Sequence, residues 1–319
     1  MFRSSFCALA ILASVAAPAG AAEVEAPGPL GPLRGTLVEP AGDASAPLAL
    51  IVPGSGPTDR DGNNPYGMKA AVYSRLAADL AARGVASVRI DKRGLFGSAR
   101  AIRNPFDVTV SDYADDLFAW AAALRQSRGA DGVWLIGHSE GGLVALAAAA
   151  RDAAPWRGLV LLATPGRPVG EVLRGQLADA TADADFLSAA ADAIGELEAG
   201  RTVPQESLPA GLQPLLNDAV QPYLIDLLRY DPARLAAATD IPMLIAWGDA
   251  DLQVAEADFA ALAAARPDAA TLRLPGINHV FKAAPADDRH ANFAAYADPD
   301  LPLPPALAEA IAEFLLRAR

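Results

Sequence analysis

The chain has 319 residues, of which 52% are hydrophobic and 20% charged, and its formal net charge is −12. This composition is too apolar for a disordered protein. It is typical of a globular protein with one large α/β domain and an insertion, or with two small domains. The acidic balance offers no basic stripe for phosphate groups, so we expect no nucleic-acid partner and interpret the acidity as a contribution to solubility.

The first 22 residues are predicted to be a signal peptide. Arg3 precedes an apolar run at residues 6–17, and small residues follow it, which is the pattern of an export signal. We expect cleavage at residue 21 or 22, with an uncleaved anchor as the alternative. The run is short for a membrane span and Pro18 interrupts it. The protein is therefore predicted to be periplasmic or secreted, with no stable membrane span after cleavage.

The only cysteine, Cys7, lies inside this segment. The mature protein would then contain no thiol, and its core would have to hold it together without disulfides. The same reasoning excludes a cysteine nucleophile and a thiolate metal site.

Apolar strands and helical segments alternate along the rest of the chain. Strands are predicted at residues 35–39, 48–52, 86–90, 133–136, 158–163, 242–247 and 271–274. Helices are predicted at residues 68–83, from a cap at Ser111 or Asp112 to residue 128, and at 143–150 and 307–317. This alternation predicts an α/β fold, a mostly parallel sheet with helices on both faces.

Residues 169–238 interrupt the alternation. They contain no convincing strand, and their helical patches lie at 172–177, 186–197 and 215–228. An insertion of this length between two strands predicts a helical cap over the carboxyl edge of the sheet. The α/β core would then comprise residues 23–168 and 239–319.

The most informative motif is Gly-His-Ser-Glu-Gly-Gly at residues 137–142, between a strand and a helix. Such a turn is sharp and strains its central residue, so small residues must flank it. Gly137 and Gly141 provide this freedom, and Gly142 allows the helix to pack closely on the sheet. The motif predicts that Ser139 is a nucleophile at the carboxyl edge of the sheet, where a helix N-terminus favours negative charge.

A serine nucleophile needs a histidine base, and the chain has three histidines. His138 lies inside the turn, where we expect its side chain to point away from Ser139 and to pack or form hydrogen bonds. His290 lies in a polar stretch that is typical of a solvated surface. His279 follows the last predicted strand at the edge that presents Ser139, and we predict that it is the base.

The acid that orients the histidine should lie between Ser139 and His279 in the sequence. The loop after residues 242–247 offers Asp249 and Asp251. We predict Asp251 as the acid, and a turn hydrogen bond for Asp249. The alternative loop at residues 163–166 contains no carboxylate.

An oxyanion hole needs two backbone N–H groups. We expect one from Glu140, directly after the nucleophile, and one from the loop after residues 48–52. In that loop Gly54, Ser55 and Gly56 can donate, and we predict that Ser55 provides the second N–H. A phosphate-binding role for the loop is disfavoured, since it lacks Gly-Lys-[Ser/Thr] and is followed by acidic residues.

Three charged residues, Asp91, Lys92 and Arg93, directly follow the predicted strand at 86–90. Charged side chains at the end of a buried strand either form ion pairs or contact a substrate. We predict a structural ion-pair network here.

These motifs together resemble the α/β-hydrolase superfamily, and its bacterial esterase branch near the serine aminopeptidase-like and dienelactone hydrolase-like groups. The resemblance spans residues 36–318 and rests on the segments at 53–63, 91–94, 137–142, 248–251 and 278–279. It implies an α/β-hydrolase fold with Ser139 as nucleophile, Asp251 as acid and His279 as base. It also implies Ser55 and Glu140 as oxyanion donors.

The expected function is that of an exported serine hydrolase that cleaves a small-molecule carboxylic ester through an acyl-enzyme, with no metal and no cofactor. An aminopeptidase, a thioesterase or a lactone hydrolase could use the same triad, since specificity depends on the pocket and not on the fold. A non-catalytic binding protein of the cell envelope is the third hypothesis. The sequence leaves the oligomeric state open.

Overall fold

The computed structural model describes residues 20–42 and 45–317, so most of the predicted signal peptide lies outside the described residues. A single sheet of eight strands, in the order β1-β2-β4-β3-β5-β6-β7-β8, runs through this part of the chain. The strands are β1 (Ala21–Ala26), β2 (Leu33–Val38), β3 (Leu48–Val52), β4 (Ala86–Ile90), β5 (Val133–His138), β6 (Trp156–Leu162), β7 (Met243–Gly248) and β8 (Ala270–Leu274). Strand β2 is antiparallel to both β1 and β4, and all other neighbours are parallel. The mostly parallel sheet is therefore confirmed.

Helices occupy every connection from β3 onward and the segment after β8. They are α1 (Val72–Ala81), α2 (Val110–Arg128), α3 (Glu140–Arg151), α4 (Val169–Ala180), α5 (Ala184–Glu198), α6 (Gln221–Leu227), α7 (Pro232–Ala237), α8 (Glu256–Ala265), α9 (Arg289–Ala294) and α10 (Pro305–Arg317). Short 3₁₀ turns lie at Phe96–Ala101, Gln205–Ser207 and Ala295–Ala297. None of the helices in the described part is both long enough and apolar enough to cross a membrane.

The core forms two layers because the central strands are apolar on both faces. In β3, Leu50 belongs to a cluster with helices α2 and α3, whereas its neighbour Ile51 belongs to a cluster with α1 and α10. Successive side chains of a strand point to opposite faces. Helices therefore cover both faces of the sheet, as the sequence predicts.

Several element boundaries differ from the predicted ones. Strand β1 was not predicted, and it pairs with β2 at the edge of the sheet. Helix α1 begins at Val72 and not at residue 68, because Ala71 has a left-handed backbone with φ 52°. Helix α2 has Thr109 as its N-cap, in a reciprocal capping box with Asp112, so the predicted cap at Ser111 or Asp112 is wrong.

Residues 169–238 contain helices α4 to α7 and no strand, and each predicted helical patch overlaps an observed helix. Helix α6 packs on α2, and α7 packs on α3. The carboxylate of Asp226 in α6 accepts a hydrogen bond from the N–H of Val110, at the start of α2 (2.8 Å). Helices α6 and α7 therefore lie over the start of α2 and along α3, on the same face of the sheet as those helices. Helix α4 instead reaches the loop after β7, where the Gln176 side chain donates to the carbonyl of Gln253 (2.8 Å).

Candidate active site

Ser139 occupies a strained turn between β5 and α3. Its backbone has φ 53° and ψ −123°, a conformation that side-chain-bearing residues rarely adopt. A Cβ atom on Gly137 would lie 2.4 Å from the carbonyl oxygen of Gly141, and a Cβ atom on Gly141 would lie 2.3 Å from that of Val52. Both positions therefore require glycine, as predicted.

The third glycine of the motif brings α3 against the end of β6. A Cβ atom on Gly142 would lie only 1.9 Å from Oγ1 of the buried Thr164. The Ser139 N–H in turn donates to the carbonyl of Leu162, the last residue of β6 (2.8 Å). Close packing and a backbone hydrogen bond thus anchor the strained turn to the neighbouring strand.

Asp251 and His279 lie side by side at the carboxyl ends of β7 and β8. His279 Nδ1 donates to Asp251 Oδ2 at 2.8 Å, and the two side chains are 6% and 0% exposed. The other carboxylate oxygen of Asp251 accepts from the N–H groups of Gln253 (2.7 Å) and Val254 (3.0 Å). The carboxylate is thus fixed from both sides, and Nε2 is the free nitrogen of the His279 ring.

The competing residues have other roles. The carboxylate of Asp249 accepts from the N–H of Gly276 (2.6 Å), which is the turn hydrogen bond predicted for it. His290 is exposed near the start of α9, as predicted. The structure therefore brings Asp251, and not Asp249, to His279.

His138 is buried and bonded at both ring nitrogens, which confirms the packing and hydrogen-bonding role predicted for it. Its Nε2 lies 2.9 Å from the carbonyl oxygen of His279, and its Nδ1 lies 2.8 Å from the hydroxyl of Tyr73. Because a carbonyl only accepts, Nε2 carries the proton and Nδ1 accepts from Tyr73. Burial, together with the nearby His279, lowers the pKa of His138 to about 3, so the ring is neutral at pH 7.

The loop after β3 contacts Ser139. A Cβ atom on Gly54 would lie 3.3 Å from Cβ of Ser139, so the loop backbone lies directly beside that side chain. The Gly54 N–H donates to the Tyr73 hydroxyl (2.9 Å) and is therefore not available to a substrate. Ser55, the next residue, lines the cavity at Ser139. Glu140 is the first residue of α3, where backbone N–H groups have no partner within the helix.

The ion-pair network predicted for Asp91, Lys92 and Arg93 is confirmed. Asp91 binds both the side chain and the backbone N–H of Arg60, which lies in the loop after β3. Arg93 binds the buried carboxylate of Asp116 through two nitrogens. The ammonium of Lys92 donates to the carbonyl of Gly54 (2.7 Å) and lies 3.2 Å from the carboxylate of Glu140.

A cavity of about 370 Å³ opens at Ser139 and His279. Its outer wall contains Tyr66 and Met68 from the loop before α1, and Phe293 and Tyr296 from α9 and the turn that follows it. Among the described residues, the lining includes no Asp, Glu, Lys or Arg, and no residue of 169–238. The predicted cap region therefore does not form the wall of this cavity.

No motif in the sequence marks these residues of the cavity wall. Tyr66 is 84% exposed and lies between Pro65 and Gly67, so no periodic pattern marks it. The available signal was an aromatic residue in a segment otherwise typical of a turn. Among the described residues, no group of three or more His, Cys, Asp or Glu side chains could hold a metal ion.

Comparisons with known proteins agree with this fold. Residues 65–199 match the family described as serine aminopeptidase, S33. The esterase EstD of Thermotoga maritima is 28% identical over 230 residues, which cover 71% of this chain and 52% of that protein. The chain thus spans about half the length of that esterase.

Solved structures extend the similarity to nearly the whole chain. Est1E from Butyrivibrio proteoclasticus has a TM-score of 0.59 at 17% identity, over 93% of this chain and 98% of that one. The dienelactone hydrolase from Anabaena variabilis has a TM-score of 0.53 at 17% identity, over 94% and 99%. At such identities the likeness concerns the fold. With its eight-stranded sheet and its strained serine turn, the chain therefore has an α/β-hydrolase fold.

Proposed function

We propose that this chain is a serine hydrolase that cleaves neutral carboxylic esters through an acyl-enzyme, with Ser139, His279 and Asp251 as its triad. The observation that carries the proposal is the shared cavity. Ser139 and His279 both line it, and the hydrogen bond from His279 Nδ1 to Asp251 leaves Nε2 to take a proton. The similarity to the esterase EstD supports the same reaction class.

In the first half of the reaction, Ser139 Oγ attacks the ester carbonyl carbon while its proton moves to His279 Nε2. The Asp251 carboxylate stabilises the imidazolium that forms. The N–H groups of Ser55 and Glu140 bind the oxyanion. The tetrahedral intermediate collapses, the C–O bond to the alcohol breaks, and the alcohol leaves with the proton from His279.

In the second half, water attacks the acyl-enzyme and gives its proton to His279. The second tetrahedral intermediate releases the carboxylic acid, and Ser139 regains its proton. Each step needs one base, one orienting carboxylate and two N–H donors. Residues of the described chain supply all of them, so these steps require no further reactant than water.

The cavity lining favours a neutral ester over two of the alternatives. An aminopeptidase substrate carries an ammonium group near the scissile bond, and burying such a charge without a carboxylate partner is costly. A lactone that bears a carboxylate would need a cationic partner for the same reason. The described lining contains no Asp, Glu, Lys or Arg and is partly aromatic, which suits an uncharged acyl or alcohol group.

The test is hydrolysis of p-nitrophenyl butyrate, compared with an aminoacyl p-nitroanilide and an acidic lactone. We expect the neutral ester to be the best substrate, Ser139→Ala to abolish turnover, and the exposed Ser111→Ala to retain it. A fluorophosphonate probe should label the wild type and not Ser139→Ala. Unlabelled wild-type protein without esterase activity would support a non-catalytic binding role, and an active Ser139→Ala variant would disprove the assignment of the nucleophile.

We also propose that the protein is exported, with residues 1–22 as its signal peptide. Cleavage at residue 21 or 22 would retain Glu23, whose carboxylate accepts hydrogen bonds from Thr36 and Arg60. Cell fractionation followed by N-terminal sequencing tests this proposal. We expect a periplasmic or secreted chain that begins near residue 22 or 23, and a cytoplasmic chain that retains Met1 would contradict it.

A further inference from the structure

A buried lysine lies behind the loop that borders the nucleophile. The ammonium of Lys92 donates to the carbonyl oxygen of Gly54 at 2.7 Å and lies 3.2 Å from the Glu140 carboxylate. Its side chain is 5% exposed and is not part of the cavity lining. Lys92 therefore contacts the two segments that flank Ser139 but does not reach the substrate.

We propose that Lys92 is a positioning residue that holds both halves of the oxyanion hole, an inference that rests on the proposed hydrolase function. In a trans peptide unit the C=O and the N–H point in opposite directions. The carbonyl of Gly54 points toward Lys92, so the N–H of Ser55, in the same peptide unit, points away from it. Because Ser55 lines the cavity, this orientation turns its N–H toward the reacting carbonyl.

The second contact of Lys92 fixes the other donor. Glu140 provides its backbone N–H to the hole, and its side chain, which is 7% exposed, pairs with Lys92. One ammonium group thus connects the peptide that carries the first donor to the residue that carries the second. The distance between the two N–H groups is consequently set by a buried ion pair and not by the loop alone.

Both backbone polar groups of Gly54 form hydrogen bonds. Its N–H donates to the Tyr73 hydroxyl at 2.9 Å, and its carbonyl accepts from Lys92. Rotation of the peptide between Gly54 and Ser55 would break the charge-assisted hydrogen bond, which is among the stronger bonds available to a backbone carbonyl. The same bond polarises the peptide and makes the Ser55 N–H a better donor to a developing negative charge.

The test replaces the ion pair without leaving a lone buried charge. In Lys92→Met/Glu140→Gln we expect kcat for p-nitrophenyl butyrate to fall about 10- to 100-fold, somewhat less than after complete loss of an oxyanion donor. KM should stay within about threefold, because the ground-state ester makes little use of the hole. A trifluoromethyl ketone, which forms a tetrahedral adduct, should lose affinity by a factor similar to the loss in kcat.

A neighbouring ion pair provides the matched control. Arg93 follows Lys92 in the sequence and binds the buried Asp116, but neither residue lines the cavity. The variant Arg93→Met/Asp116→Asn should lower stability and leave both kcat and ketone affinity near wild type. If the Lys92 pair variant behaves in the same way as this control, Lys92 has only a structural role and the inference is wrong.

Two further measurements keep the inference falsifiable. If the pair variant does not fold, Lys92→Gln replaces it in the test, because the glutamine amide retains a neutral N–H donor. We then expect a smaller loss of kcat at unchanged KM. An unchanged kcat would overturn the inference. Wild-type protein without esterase activity and without probe labelling would instead refute the proposed function. The two failures are therefore distinguishable.

Discussion

The hydroxyl of Tyr73 lies 2.8 Å from Nδ1 of His138, and this contact connects the two loops that flank Ser139. On one side Tyr73 accepts from the N–H of Gly54; on the other, His138 donates through Nε2 to the carbonyl of His279. Burial raises the pKa of Tyr73, so its hydroxyl keeps the proton that it donates. A continuous chain of hydrogen bonds thus runs from the proposed oxyanion loop to the proposed base.

Removing the Tyr73 hydroxyl should weaken both loops. In Tyr73→Phe the Gly54 N–H and His138 Nδ1 lose their partner in a buried place, which should lower the free energy of unfolding by about 1–3 kcal/mol. We also expect a lower kcat, since the loop beside Ser139 is less well fixed. Urea denaturation and p-nitrophenyl butyrate kinetics measure the two effects. The control Tyr230→Phe, outside the cavity lining, should change neither by much, and an equally small effect in Tyr73→Phe would refute the linking role.

The neutral state of His138 predicts a loss of stability in mild acid. An unfolded chain protonates this histidine below its ordinary pKa of about 6.5, whereas the folded protein keeps it neutral down to a pKa of about 3. The unfolded state then binds more protons, so the free energy of unfolding falls as the pH decreases from 6.5 toward 3. The expected contribution is about 2 kcal/mol lost at pH 5.

Urea unfolding at pH 7.5 and pH 5 tests this expectation. The variant His138→Gln cannot titrate at this position, so its stability should decrease less between the two pH values, by about the same 2 kcal/mol. All other residues are common to the two proteins, so the comparison isolates the contribution of position 138. Equal pH dependence in the two proteins would show that His138 does not remain neutral in the fold.

The two carboxylates of the loop after β7 should differ sharply in their effect on catalysis. In the proposed mechanism Asp251→Asn removes the charge that stabilises the His279 imidazolium, so we expect kcat to fall by about 10³- to 10⁴-fold. Asp249→Asn keeps an oxygen that can accept from Gly276, and should retain most of the activity. Steady-state kinetics of both variants measure the difference. A comparable loss in Asp249→Asn would contradict the assignment of Asp251 as the acid of the triad.

The contact between Gly142 and Thr164 can be tested by a pair of compensating changes. Gly142→Ala places a methyl group within 1.9 Å of Thr164 Oγ1, so helix or strand must shift, at a cost of about 1–3 kcal/mol. Thr164→Ala removes the atoms that overlap most. In a double-mutant cycle followed by urea denaturation, the double variant should be more stable than the sum of the single effects predicts. Strict additivity would indicate that the two sites are independent.

The central sheet could be predicted because its strands are short, continuous apolar runs. The predicted bounds of β3 and β4 agree with the structure at both ends. Strand β1 escaped prediction because residues 21–26 follow directly on the apolar leader and lie at the edge of the sheet, where four of the six are exposed. Helix α1 begins later than predicted because polar side chains of the preceding loop bind the backbone before Val72. The side chain of Asn63, for example, accepts from the N–H of Ala71 and keeps that residue out of the helix.

The proposed triad could be assigned from the order of motifs, but its supporting contacts could not. Lys92 meets Gly54 across 38 residues of sequence, and Tyr73 meets His138 across 65. No local periodicity indicates such a contact, because the two partners lie in different elements or loops that are far apart in the sequence. The cavity wall was missed for a similar reason, since Tyr66 and Phe293 are brought together only by the fold.

The strained backbone of Ser139 lowers the stability of the fold at the residue that the proposed activity requires. Residues with φ near 53° and ψ near −123° cost of order 1–3 kcal/mol unless they are glycine. Replacement of Ser139 by glycine should therefore stabilise the fold while it removes the proposed nucleophile. Laboratory evolution that selects for heat resistance alone would favour that inactive variant, so any search for a hardier form of this protein must select for turnover at the same time.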